Sequence, residues 1–174
     1  MTAPLTQAPT LRTERLILRG PERGDLEALT AFITGSPRMA TLGGNDTEVG
    51  VWRAFLTNVG RWQVDGFGYF TLTAHDDPAP LGRVGLLSYP RGMDAPKIEL
   101  AWHLFDGAEG HGYVVEAATA IRDWARRDLG LDRLVSYIDP ANARSQATAR
   151  RLGAATDGTR ALHDPSCEVW THPA

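Results

Sequence analysis

The chain has 174 residues, a formal net charge of -3, 43% hydrophobic and 22% charged residues, and one cysteine. That length suits one domain, and that apolar content supports a core without staples, which excludes a disordered chain and a disulfide scaffold. Lone Cys167 excludes an internal disulfide and a cysteine-rich zinc site, and the net charge gives no general attraction to nucleic acid or anionic lipid.

Residues 1–10 hold two prolines and three threonines, lack the basic and apolar blocks of a signal peptide, and read as a frayed leader before a single domain at 11–174. No apolar run approaches the roughly 18 residues that span a bilayer, so the expected location is the cytoplasm, with no membrane partner. Arg15-Leu-Ile-Leu-Arg19 is the first predicted strand. Leu26, Leu29, Phe32 and Ile33 recur at helical spacing and predict a helix that Gly35-Ser36-Pro37 stops. Val51, Trp52, Phe55, Leu56, Val59 and Trp62 predict a second helix, with Trp52 and Trp62 assigned to the core.

Tyr69 to Thr73 and Gly82 to Ser88 read as an antiparallel hairpin joined by a turn rich in Pro and Asp. In the fourth predicted strand, Lys97 to Leu104, Glu99, Ala101 and His103 alternate with Ile98, Leu100, Trp102 and Leu104. A carboxylate and an imidazole therefore share one face. The second half changes to a helix over Tyr113 to Leu129, a strand over Leu134 to Ile138 and a helix over Asn142 to Leu152 closed by Gly153. A last hairpin is expected from Thr159 to Leu162 and Cys167 to Thr171.

Two junctions carry chemistry. Glu109-Gly-His-Gly-Tyr113 joins a strand to a helix, and Gly110 and Gly112 permit the positive φ that turns several backbone N–H groups toward one phosphate at the helix start. The same pattern also serves as a plain tight turn. Asn142 and Ser145, three apart after Asp139-Pro-Ala, share a face of the following helix, where either Asp139 or Asn142 is an ordinary N-cap. His163 and Cys167 are too poorly spaced for a ligand pair, so no metal is expected.

Taken in order, Glu99-Leu-Ala-Trp-His-Leu104, Glu109-Gly-His-Gly-Tyr-Val-Val-Glu-Ala117, and Asp139-Pro-Ala-Asn-Ala-Arg-Ser145 with Arg151-Leu-Gly153 resemble the GNAT superfamily of acetyl-CoA-dependent N-acyltransferases. Thr13 to Arg19 and Glu168 to Pro173 resemble its RimJ/RimL-like branch. The resemblance implies an α+β fold of three layers, with a mixed, mostly antiparallel sheet splayed between the fourth and fifth predicted strands and flanked by helices. It also implies acetyl-CoA as cosubstrate, held by Trp102, His103, Leu104, Gly110, His111, Gly112, Tyr113, Asn142 and Ser145. Asn142 would hold the pantetheine amide, and a backbone N–H near a bulge at Trp102 to Leu104 would meet the oxyanion.

Within that resemblance Glu99 is the leading general base and His103 its competitor, while Glu99 without such a role would be a carboxylate paired with an arginine. Ser145 would hydrogen-bond the leaving thiolate, because the position where many relatives carry a tyrosine acid is Ala149. Two further departures, Glu109 near the phosphates and bulky Val114, are expected to weaken cofactor binding. The resulting expectation is direct acetyl transfer to a primary amine, either a protein N-terminus or a small molecule, by a chain that also forms a dimer through its terminal strands. The net charge mildly favours a cationic acceptor. The alternatives are a catalytically silent acyl-CoA-binding protein and, with no phosphate-reaching lysine to support it, a phosphotransferase.

Overall fold

A computed structural model describes residues 7–89 and 98–173. Lys97 and the first six residues of the predicted leader lie outside them. The seven strands follow chain order across one sheet: β1 (Leu11–Arg12), β2 (Leu16–Arg19), β3 (Tyr69–Ala74), β4 (Gly82–Leu87), β5 (Ile98–Leu104), β6 (Leu134–Ile138) and β7 (Glu168–Thr171). All neighbours are antiparallel except β5 and β6, which the crossover helix α3 (Tyr113–Leu129) makes parallel. The fold is α+β, with the mixed, mostly antiparallel sheet that the resemblance implies.

The even-numbered residues of the central strands build the main core, in which Phe70, Leu72, Val84, Leu86 and Leu100 meet Ala117, Ala118, Ile121 and Trp124 of α3. Helix α4 (Ala143–Arg151) joins the same side, where buried Ala149 packs with Ile138 and Trp170. A second core of Leu29, Phe32, Ile33, Val51 and Phe55 pairs α1 (Leu26–Gly35) with α2 (Glu48–Val64), and Phe32 meets the opposite face of the sheet at His103. Near the end of α2, Asn58 and Trp62 clamp the backbone of Tyr69: Asn58 Oδ1 accepts from its N–H at 2.7 Å, while Asn58 Nδ2 and Trp62 Nε1 donate to its carbonyl. The helix thus fixes where β3 begins.

Several expectations need correction. Ala8 already packs on the main core, so ordered chain starts inside the predicted leader. Trp62 is buried, but Trp52 is 36% exposed with the Arg23 guanidinium over its ring. Of the final hairpin only β7 is a strand; Thr159 to Leu162 supplies one isolated bridge, Arg160 to Glu168, flanked by bonds from Val169 N–H to the Thr159 carbonyl and from Ala161 N–H to the Cys167 carbonyl. The expected bulge is also missing. Pairing of β4 with β5 runs without interruption from Gly82 opposite Leu104 to Leu87 opposite Glu99.

Candidate active site

The parallel junction is short. Among the described residues β5 and β6 pair only at Ile98 with Leu134 and Glu99 with Val135, after which the strands part. Just beyond, the Ser136 hydroxyl donates to the Leu100 carbonyl at 2.6 Å and stands 2.9 Å from His172 Nε2, so a side chain replaces the next rung. Because backbone groups alternate along a strand, the N–H and C=O of Trp102 and the N–H of Leu104 face the gap with no strand opposite.

A cavity of about 850 Å³ opens from this gap toward the starts of α3 and α4. Of the residues expected to hold a cofactor, Trp102, His103, Leu104, Gly110, Gly112, Tyr113, Asn142 and Ser145 line it. His111 does not; it is exposed, its ring stacks on Tyr113, and its carbonyl accepts from Arg15 Nη1. Gly110 and Gly112 take φ of 85° and 79°, and Gly112 caps α3 without any side-chain acceptor. The first helical bond of α3 runs from Glu116 N–H, which leaves the N–H groups of Tyr113, Val114 and Val115 without helical acceptors. This is a place for an anion.

Glu109, an anion in that neighbourhood, is not left alone. It pairs with Arg38 at 3.0 Å and Arg144 at 3.5 Å, and accepts the Gly107 N–H at 2.7 Å. Arg38 sits on a 3-10 turn (Pro37–Thr41) capped by the Ser36 hydroxyl, and it also donates to the Leu104 carbonyl. Asn142 uses both polar atoms of its side chain and keeps its second Nδ2–H spare. Its Oδ1 caps α4 by accepting from Ser145 N–H at 3.0 Å, and its Nδ2 donates to the Thr41 carbonyl at 3.1 Å. Ser145 exposes its hydroxyl to the cavity with no hydrogen-bond partner among the described residues.

Glu99 and His103 lie on the face opposite α3, as their alternation requires. Glu99 is buried and accepts from the Tyr89 hydroxyl, with Tyr89 stacked on His163 at 4.2 Å. Burial raises the Glu99 pKa, while the Tyr89 hydroxyl and His163 pull the other way. Its carboxylate is not part of the cavity lining; two residues, Leu100 and Ala101, separate it from Trp102 along the strand. His103 is held neutral, because burial, then Arg83 and Arg38, push its pKa well below the usual value. Its Nδ1 accepts from Arg83 Nε at 3.1 Å, which leaves the ring proton on Nε2. In that tautomer the remaining ring nitrogen is a donor, so the ring does not serve as a proton acceptor.

Sequence reasoning missed Arg38, Arg83, Tyr69 and Tyr89, which come from distant segments without a local motif. One signal was present: Arg83 is a cation within an apolar strand that has neighbours on both sides. Among the described residues no group of three or more His, Cys, Asp or Glu is placed to hold a metal, and no helix is long and apolar enough to cross a membrane.

Comparison with known proteins agrees with this geometry. The family described as Acetyltransferase (GNAT) domain matches residues 15–155. An acetyltransferase from Agrobacterium tumefaciens str. C58 superposes with a TM-score of 0.88 and 35% identity, over 100% of this chain and 99% of its own. The uncharacterized N-acetyltransferase YnaD of Bacillus subtilis (strain 168) is 24% identical over 161 residues, 92% of this chain and 91% of YnaD. RimL, a ribosomal L7/L12 alpha-N-protein acetyltransferase, shares the fold at a TM-score of 0.75 and 14% identity, over 95% of this chain and 93% of its own. The chain belongs to the GNAT acetyltransferase family.

Proposed function

We propose that residues 11–174 act as one domain that transfers an acetyl group from acetyl-CoA to a primary amine, by direct attack within a ternary complex. The observation that carries this reading is the parted β5–β6 junction, whose cavity ends at the uncapped start of α3. When bound, acetyl-CoA supplies an acetyl group already activated as a thioester. The N–H groups of Tyr113, Val114 and Val115 would hold its diphosphate, with Arg144 and Arg151 nearby on the cavity wall. Asn142 would hold the pantetheine, and the free Trp102 N–H would stabilise the oxyanion. Glu99 takes the amine proton, directly or through a water, since His103 is committed as a donor. Positioning supplies much of the rate. RimL acts on a protein α-amine by its own description, which supports that class of acceptor beside small amines.

Acetyl-CoA is expected to raise the melting temperature. At 100 times its dissociation constant a ligand contributes about 2.7 kcal/mol, or about 5 to 10 °C for a chain of this length. No shift, together with no heat of binding by calorimetry, overturns the proposal. A second reading, a silent acyl-CoA-binding protein, draws on buried Ala149, which brings no hydroxyl acid to the site. It predicts the same thermal shift with no thioester consumed in the presence of any amine.

Ser145 and Asn142 are expected to separate cleanly. If the Ser145 hydroxyl meets the sulfur only as it becomes a thiolate, Ser145→Ala lowers kcat with little change in acetyl-CoA affinity. Asn142→Ala does the reverse, weakening binding by about 1 to 3 kcal/mol. Since Asn142 also caps α4, its loss costs about 1 kcal/mol of stability, or about 2 to 4 °C. Paired titrations, melts and rates at saturating cofactor check both. Weakened binding with spared kcat in Ser145→Ala makes Ser145 a cofactor contact.

A further inference from the structure

The face of the sheet that carries Glu99 and His103 is lined by half-buried arginines, and their partners differ. Arg19 holds Asp25 through two bonds of 2.7 and 2.9 Å, Arg38 holds Asp106 and Glu109, and Arg61 holds Asp65. Arg83 has no carboxylate partner among the described residues. Its Nε donates to His103 Nδ1, and its guanidinium lies over the Tyr69 ring at 4.4 Å from the centroid. Its two Nη groups make no hydrogen bond to described residues, and the residue is only partly buried. The planar fork is therefore oriented by a ring and an imidazole, with its donors spare.

We propose that Arg83 recognises a carboxylate on the acceptor, so that the preferred substrate is an amine bearing a nearby acid group, as in an α-amino acid. The inference rests on the transferase reading above and narrows its acceptor. Burying a guanidinium without a counter-ion is costly, and a substrate anion supplies the missing charge. The position fits: Arg83 stands directly opposite His103 across β4 and β5, on the face that also carries the Glu99 carboxylate. Tyr69, Phe32 and Phe105 surround that end of the face with rings. A guanidinium beside the amine also favours its uncharged, nucleophilic form. The local field thus runs against the cationic acceptor that the net charge of -3 favours.

The test is acetyl transfer to matched pairs: free amino acids beside their carboxamides, and Ala-Glu beside Ala-Gln peptides capped as C-terminal amides, which separate a backbone from a side-chain carboxylate. Calorimetric titration of the same compounds into the CoA-loaded protein gives a readout independent of turnover. The acid member of a pair is expected to lead in kcat/KM by about 10²-fold, the scale of a lost charged hydrogen bond. In Arg83→Gln that ratio falls toward one, while Arg83→Lys, which keeps the charge without the fork, retains part of it. Equal rates for acid and carboxamide in the parent overturn the inference and leave the transferase reading standing. A preference that survives in Arg83→Gln assigns the carboxylate elsewhere and overturns it too. If no amine is acetylated, the transferase reading fails, and titration alone decides the inference: acids that bind no better than carboxamides overturn it.

Discussion

Glu99→Gln is expected to lower kcat by about 10²- to 10⁴-fold while acetyl-CoA affinity stays nearly unchanged, because the carboxylate would act on the amine and stands apart from the cofactor cavity. The stability result should point the other way. Burial holds the Glu99 pKa above its unfolded value, so the folded state binds this proton more tightly than the unfolded one. Stability therefore falls as pH rises from the unfolded pKa through the folded one. Above that window glutamine removes the cost of a buried charge and still accepts from Tyr89, so the variant should melt at or above the parent temperature. The parent kcat should rise with pH through the folded Glu99 pKa, and that limb should vanish in the variant. A folded variant with unchanged kcat would leave the proton to water or to an amine that arrives deprotonated; a lower melting temperature with unchanged kcat would make Glu99 structural.

The second large effect is expected at Gly85→Ala. A Cβ there would stand 2.1 Å from the Gly68 carbonyl oxygen and 2.4 Å from the Tyr69 Cα, both backbone atoms of the chain entering β3. Rotamer changes cannot relieve such a clash, so the strands must separate, at a cost of about 3 kcal/mol or more. That corresponds to a fall of about 6 to 12 °C in melting temperature. The displaced residue is Tyr69, whose backbone Asn58 and Trp62 clamp and whose ring carries Arg83. Activity should therefore fall further than the folded fraction does. A melting temperature within about 2 °C of the parent would mean that the strands separate freely here, against the tight packing of the core.

Much of this was legible because long elements repeat their pattern. Helix α3 runs from Tyr113 to Leu129 as predicted, since left-handed Gly112 and Gly130 end it on both sides. The alternation in β5 correctly put Glu99 and His103 on one face. What escaped was short or distant. β1 has two residues, and the 3-10 turns Arg23–Asp25 and Pro37–Thr41 have three and five, too few to display a period. The bulge expected at Trp102 came from resemblance, with no local residue to demand it, and the register is regular there. Spaced motifs pointed to the cavity lining around Gly110, Gly112 and Asn142, but not to what restrains it. No sequence pattern ties Arg38 to Glu109, or Arg83 to His103, because each pair is made by the sheet and its loops. A histidine read as a competing base thus becomes a donor through a partner 20 residues away.

The parted strands have a consequence for solubility. Beyond Glu99, the N–H and C=O of Trp102 and the N–H of Leu104 face the gap with no strand opposite, and such an edge ordinarily invites a strand from another chain, the first step of aggregation. Here the approach is guarded. Trp102 packs against both the main core and the cluster of Ile138, Ala149 and Trp170, and the cavity is lined by three arginines, Arg38, Arg144 and Arg151, against the one carboxylate of Glu109. A second polypeptide would have to desolvate those guanidinium groups and pass the starts of α3 and α4. A slender anionic molecule meets no such obstacle, so the charges that would welcome the ligand also defend the open sheet against its own kind.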